Sequence, residues 1–267
     1  MSVSEVPRLG AHVGRAKVIA DAEKFGVDCV QVHLSAPQAW APPKLKGDES
    51  ALAASGLHIY VHGPYLVNPS SIRPELREQS RECLIGQAEA CAAVSARGLV
   101  VHAGHPTGDG TLEHAVDGWL DTLNGWTSPV PILIENTAGG SFGPGRYLEP
   151  LVRLVSLLRD RTSHEIGVCF DTCHAWASGM ALDVAVDVLT TELGGISLVH
   201  LNDSKDEQGS GRDRHQNLGM GEIPLEWITD VVNTAGCDVV IETPGGFDGQ
   251  FADLEWLREH TTITSRA

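Results

Sequence analysis

The stretch "PILIENTAGG", residues 131–140, sets how the rest of the chain is read. Four apolar residues, 131–134, lead straight into Glu135, and a glycine-bearing loop follows. A short apolar run without polar alternation reads as a strand covered on both faces, as in a parallel sheet. A carboxylate ending such a run costs several kcal/mol to bury unless it is paired or bound to a metal.

The same form recurs on both sides. Runs rich in Val and Ile fall at 8–13, 28–34, 57–62, 98–103, 166–172, 196–202 and 238–243, which with 131–136 makes eight strands. Amphipathic stretches predict helices at 14–25, 74–96, 111–125, 147–160, 181–193, 224–235 and about 250–260. In the second of these, Leu76, Cys83, Leu84, Ala88, Cys91 and Ala92 share one helical face. Eight strands alternating with helices in about 250 residues predict an α/β fold, an eight-stranded parallel (β/α)8 TIM barrel. An open doubly wound sheet is the competing arrangement. No GxGxxG follows the first strand, so nothing points to a dinucleotide fold.

Six consecutive strands then finish on metal-ligand side chains: His62, His102, Glu135, Asp171, His200 and Glu242. In a barrel those ends converge on the face that carries active sites. A lone histidine there is more often a satisfied rim residue than a ligand. Six in a row, with no Lys or Arg among them, are better explained by metal ions. His174 follows Asp171 by three residues, and the two share a face at a helix start. The loop within "VHLNDSKDEQGSGRDRHQNLGMGEI", 199–223, adds Asp213 and His215, two apart and so on one side of an extended segment. Loops this long are usually disordered or functional. Nine candidate ligands exceed what one ion needs and fit two or three. Imidazole with carboxylate favours zinc, or else manganese or iron.

Composition bounds the rest. The chain has 267 residues, 42% of them apolar, and no linker or repeat, so it reads as one domain over 1–267. The N-terminus has no basic patch followed by an apolar stretch, and no run reaches the roughly 20 residues of a membrane helix. Six scattered cysteines, without a CxxC pair, read as reduced and mostly buried, which predicts a cytoplasmic protein. The net charge of −16 argues against gripping nucleic acid by bulk electrostatics.

At this point "VHGPYLVN", "HAGH", "IENTAGG", "GVCFDTCHAWASG", the 199–223 loop and "IETPG" closely resemble the endonuclease IV family of apurinic/apyrimidinic endonucleases (deoxyribonuclease IV). The likeness runs from residue 10 to the last helix. It implies an α/β barrel with three zinc ions, with manganese or iron as alternatives at one position. It implies hydrolysis of double-stranded DNA on the 5′ side of abasic sites, leaving a 3′-hydroxyl and a 5′-deoxyribose phosphate, and clearing of blocked 3′ ends. By resemblance His62, His102 and Glu135 hold one zinc. Glu135 bridges to a second, shared with Asp171, His200 and Glu242, and His174, Asp213 and His215 hold the third. Glu242 and Glu135 become the catalytic candidates, with Glu242 placed to orient or deprotonate the water.

Tyr65 matches a family residue that wedges the opened duplex, and spacing alone equally fits a rim aromatic. Gln38, Arg212 and Arg214 are the other expected DNA contacts, beside Lys44, Lys46, Arg73, Arg77 and Lys205 near predicted mouth loops. The segment "LSAPQAW", 34–40, departs from the family at Ser35, Ala36 and Pro37, with Gln38 and Trp40 matching, and His33 stands where an aromatic is usual. The family's site lies within one chain, which favours a monomer without membrane contact. A metal-dependent sugar isomerase or epimerase of the xylose isomerase-like barrels is the rival reading. It needs one or two ions, which would leave His174, Asp213 and His215 surplus.

Overall fold

The structure is a computed structural model that describes residues 6–108, 110–140 and 142–263. The expected domain limits at 1 and 267 lie outside the described residues. The first half runs β1 (Leu9–His12), α1 (Val18–Phe25), β2 (Cys29–Val32), α2 (Glu49–Ala53), β3 (His58–His62), α3 (Pro74–Ala93), β4 (Gly98–His102) and α4 (Leu112–Leu123). Then come β5 (Ile132–Glu135), α5 (Leu148–Arg161), β6 (Ile166–Asp171), α6 (Thr172–Ser178), α7 (Leu182–Leu193) and β7 (Leu198–Leu201). A short ribbon, β8 (Asp203–Ser204) with β9 (His215–Gln216), precedes α8 (Leu225–Ala235), β10 (Asp238–Ile241) and α9 (Gly246–His260).

Eight strands close in the order β1-β10-β7-β6-β5-β4-β3-β2, all parallel, so the expected TIM barrel is the observed fold. Its main apolar core lies between the strands and the outer helices, with Leu84 and Cys91 of α3, Trp119 of α4 and Leu151, Leu154 and Leu158 of α5 fully buried. The buried face of α3 is less apolar than its sequence predicts, because it also carries Ser80 and Gln87. Ser80 Oγ accepts from the Asn68 amide, and Gln87 Nε2 donates to Ser35 Oγ, so both tie the helix to mouth loops.

The barrel interior explains where the polar strand ends come from. Side chains alternate along a strand, so every second residue faces inward. One inward layer is Cys29, Tyr60, Val100, Leu133, Cys169, Leu198 and Val240. Two residues further on, the same strands carry Gln31, His62, His102, Glu135, Asp171, His200 and Glu242. On β1 the lower position is Gly10, where a Cβ would lie 2.3 Å from the Cys29 carbonyl oxygen, and the upper is His12. An apolar plug thus underlies a polar layer at the C-terminal mouth. At the other end His58 and Tyr60 meet Asp238 at 2.5 and 3.0 Å and close the floor.

Several elements differ from expectation, among them α2 (Glu49–Ala53), which no predicted helix covers. Helix α1 begins at Val18 because residues 14–17 form a turn closed from the Lys17 amide to the Gly14 carbonyl, 3.4 Å. Helix α9 begins four residues early, at Gly246. The β8–β9 ribbon had no periodic signal to announce it.

Candidate metal centre

All nine candidate ligands meet at the mouth. His62 Nε2 and His102 Nε2 lie 3.1 and 3.3 Å from Glu135 Oε2. The other oxygen of Glu135 lies 3.0 Å from His200 Nδ1, which is itself 3.3 Å from Glu242 Oε2. The ribbon brings Asp213 down beside the barrel, where its two oxygens lie 3.2 Å from His174 Nε2 and 3.1 Å from His215 Nε2. Three groups have ligand atoms close enough to share one ion each: His62, His102 and Glu135; Glu135, Asp171, His200 and Glu242; and His174, Asp213 and His215. Glu135 belongs to two of them. Cys169 and Cys173 also fall within such clusters. Neither was a sequence candidate, and burial pushes both thiols up, away from thiolate.

Local structure fixes these positions. Asp171 ends β6 and caps α6, its carboxylate accepting from the His174 amide at 2.6 Å. Capping therefore sets the spacing of two ligands. Asn136 and Asn202 lace the strands together. Asn136 pairs with the Asp171 backbone at 2.7 and 2.9 Å. Asn202 donates to Asp171 Oδ2 and accepts from the Glu242 amide at 2.8 and 3.0 Å. Asp203 holds the loop, its carboxylate accepting from the amides of Ser204, Gly219, Gly221 and Ile223 at 2.7–3.0 Å.

The electrostatics fit a cation. Glu135 and Asp171 are essentially buried, and their neighbours are imidazoles. Burial opposes charge on His200 and His215, yet Glu242 and Glu135 for the first, and Asp213 and Asp171 for the second, push each ring up to about 9. Burial also raises Glu135, but the rings of His102 and His200 outweigh it and hold the carboxyl well below its usual range. Such a cluster attracts positive charge, and protons and divalent cations compete for the same lone pairs. One orphan atom lies within the ligand set, His215 Nε2: it is buried, and its approach to Asp213 is not aligned as a hydrogen bond. A metal ion is the partner that an imidazole nitrogen among carboxylates calls for.

Comparison with known proteins agrees. A family model described as xylose isomerase-like TIM barrel matches residues 19–260. A relative in Mycobacterium leprae, named probable endonuclease 4, is 41% identical over 254 residues, covering 95% of this chain and 99% of that one. The chain belongs to the endonuclease IV family. The solved structure of endonuclease IV from Thermus thermophilus superposes with a TM-score of 0.81 at 30% identity, over 95% of this chain and 98% of that one. A D-tagatose 3-epimerase-like protein superposes at 0.78 with 20% identity, over 95% and 96% of the two chains, which shows the shared barrel alone.

Around this candidate centre lies the rim. Tyr65 is half exposed, with its ring stacked on His102 at 5.8 Å and edge-on to His62 and His33. Its amide donates to the Pro37 carbonyl at 2.8 Å, which ties it to the divergent 34–40 loop. Gln38 is exposed on that loop. Arg214 binds Asp206 with two hydrogen bonds and Arg212 reaches the same carboxylate at 3.4 Å, though both side chains stay exposed. A cavity of about 260 Å³ opens beside Glu242, lined by His12, His33, Tyr65, His215, Glu242 and Gln250. His33 also lines a neighbouring cavity of about 360 Å³ that holds Arg15, Lys44 and Lys46. Exposed Leu45, Tyr65, Leu66, Ile72, Phe142 and Met220 all sit on loops of this face. Sequence reasoning missed His12, Gln31, Asn136, Asn202 and Asp203. The asparagines were signalled by "IEN" and "HLN", where each follows a ligand strand's last residues.

Proposed function

We propose that this protein is a metal-dependent DNA repair nuclease that hydrolyses the phosphodiester 5′ to abasic sites in double-stranded DNA and clears blocked 3′ ends. One observation carries the reading: three adjacent ligand groups, two of them sharing Glu135 and the third built by α6 and the β8–β9 loop. An isomerase-like barrel with one or two ions has no use for that third group. Zinc is the expected ion at all three positions, with manganese or iron as alternatives at one. Bound there, such ions supply Lewis acidity, which neutralises an anionic phosphodiester and makes hydroxide available near neutral pH.

The chain's own residues do the rest. Glu242 faces the cavity on a fixed backbone, held by Asn202, and is placed to orient the attacking water and take its proton. Glu135 holds the two groups at a fixed separation. Tyr65 stands over His102 as a flat apolar surface at the entrance, suited to fill the gap left by a nucleotide turned out of the stack. The 260 Å³ cavity is of a size to take a sugar lacking its base. All six cysteines are free, which suits a cytoplasmic protein working beside the chromosome. Among the described residues no helix is long and apolar enough to cross a membrane. The complete site within one chain suits a monomer.

The deciding experiment uses a duplex with one tetrahydrofuran abasic analogue, which cannot undergo β-elimination. Cleavage immediately 5′ to the analogue, lost on prolonged chelation and restored by zinc, is expected. No cleavage by protein shown to be metal-loaded would overturn the nuclease reading in favour of a sugar isomerase.

A further inference from the structure

The nine ligands leave two positions of the same inward layer unassigned, His12 on β1 and Gln31 on β2. Gln31 is wholly buried. Its Nε2 donates to Glu242 Oε1 at 2.7 Å and lies 3.0 Å from His12 Nδ1, while its Oε1 lies 2.8 Å from His200 Nε2. A carboxylate can only accept, so the amide nitrogen must face Glu242. The amide oxygen then faces His200, and His200 Nε2 must carry the hydrogen. In the neutral ring that can bind a cation, the lone pair of His200 is thereby committed to Nδ1, which points at Glu135 Oε1 and Glu242 Oε2.

His200 is the exception among its neighbours. His62 Nδ1 donates to the Gly63 carbonyl and His174 Nδ1 to the Asn136 carbonyl, at 2.7 and 2.9 Å. His215 Nδ1 lies 3.4 Å from the Glu242 carbonyl. Those three rings therefore turn Nε2 toward the centre. Backbone carbonyls fix their tautomers, whereas a side chain from a different strand fixes that of His200.

We propose that Gln31 is a positioning residue for the metal centre: one amide holds His200 in the tautomer that offers Nδ1 and clamps Glu242 beside it. It thus sets two of the four ligands in the group of Glu135, Asp171, His200 and Glu242. Without it, His200 can move its hydrogen to Nδ1 and donate to Glu135, which blocks the nitrogen a cation needs. The inference rests on the metal-dependent reading above, and its test counts metal rather than cleavage.

The test uses the full chain carrying Gln31→Leu, and Gln31→Met as a second apolar side chain of closer shape. Each is loaded with zinc, then zinc per chain and its competition with a chromophoric chelator are measured against the unaltered protein. One class of zinc is expected to weaken about 10- to 100-fold in both variants, while the zinc-stripped proteins melt within a few degrees of one another. Equal zinc retention in all three proteins overturns the proposal. So does a large drop in melting temperature of both stripped variants, which would make Gln31 a general packing residue. If the unaltered protein itself holds no zinc or other transition metal, the metal-dependent reading fails first.

Discussion

At the scale of single residues, the mouth of this barrel concentrates roles that are normally spread out. Asp171 caps a helix, anchors two asparagines and faces two ligand groups. Glu242 borders the cavity while accepting from Gln31. Replacing Glu242 by Gln keeps the shape and removes both the negative charge and the proton acceptor. Turnover on the tetrahydrofuran duplex should fall at least about a hundredfold, the scale of lost general base catalysis. Far-UV circular dichroism should be unchanged. A variant within a few-fold of the unaltered rate at saturating zinc would remove Glu242 from the reaction and leave Glu135 as the carboxylate to test next.

At the scale of elements, the β8–β9 loop is tied at its base by one carboxylate, while Trp176 Nε1 donates to the Asp206 carbonyl and the Gly209 and Gly211 amides donate to the Trp176 and Ala177 carbonyls nearer its tip. Asp203 satisfies four backbone amides, and Gly221 passes so close that a Cβ would lie 2.2 Å from the Ser204 carbonyl oxygen. Asp203→Ala should leave those amides without their acceptor and free the segment that carries Asp213 and His215. On the proposed three-zinc reading we expect one zinc per chain to be lost, with the barrel's secondary structure intact and the zinc assigned to His62, His102 and Glu135 retained. Counting zinc by atomic absorption checks this, and a full complement would show that the loop holds its shape without Asp203. The same contrast explains what the sequence could reveal. Strands and their polar ends were readable because burial on both faces forces continuous apolar runs, and a buried carboxylate such as Glu135 stands out against one. The ribbon was not, because it depends on Asp203 reaching amides up to 20 residues away. Gln31 was not either. In "CVQVHL" a polar residue between valines reads as a solvent-facing alternation, and only the closed barrel turns that side chain into the lumen.

At the scale of the whole molecule, a chain of net charge −16 is proposed to bind a polyanion. Three dications at the mouth would soften this locally and still leave the protein acidic. Among the described residues the rim offers few free cations for phosphates. Lys44 and Lys46 line the cavity next to His33, but Arg15 in the same cavity is committed to Asp48 at 2.6 Å, and Arg212 and Arg214 share Asp206. Exposed apolar side chains such as Tyr65, Leu66, Phe142 and Met220 occupy the same face, and contacts through them do not release counterions. Recognition should then depend on the opened lesion more than on the charge of the duplex. Each phosphate neutralised on B-DNA contributes about −0.9 to the slope of log affinity against log salt, so three or four contacts give about −3 to −4. Affinity for the tetrahydrofuran duplex, measured by fluorescence anisotropy with a cleavage-inactive Glu242→Gln protein between low and moderate salt, should follow that shallow line. Intact duplex of the same length should bind far more weakly throughout. A slope near about −8, or equal affinity for intact DNA, would mean that an extended basic surface forms on binding, and the mouth described here would then be only part of the interface.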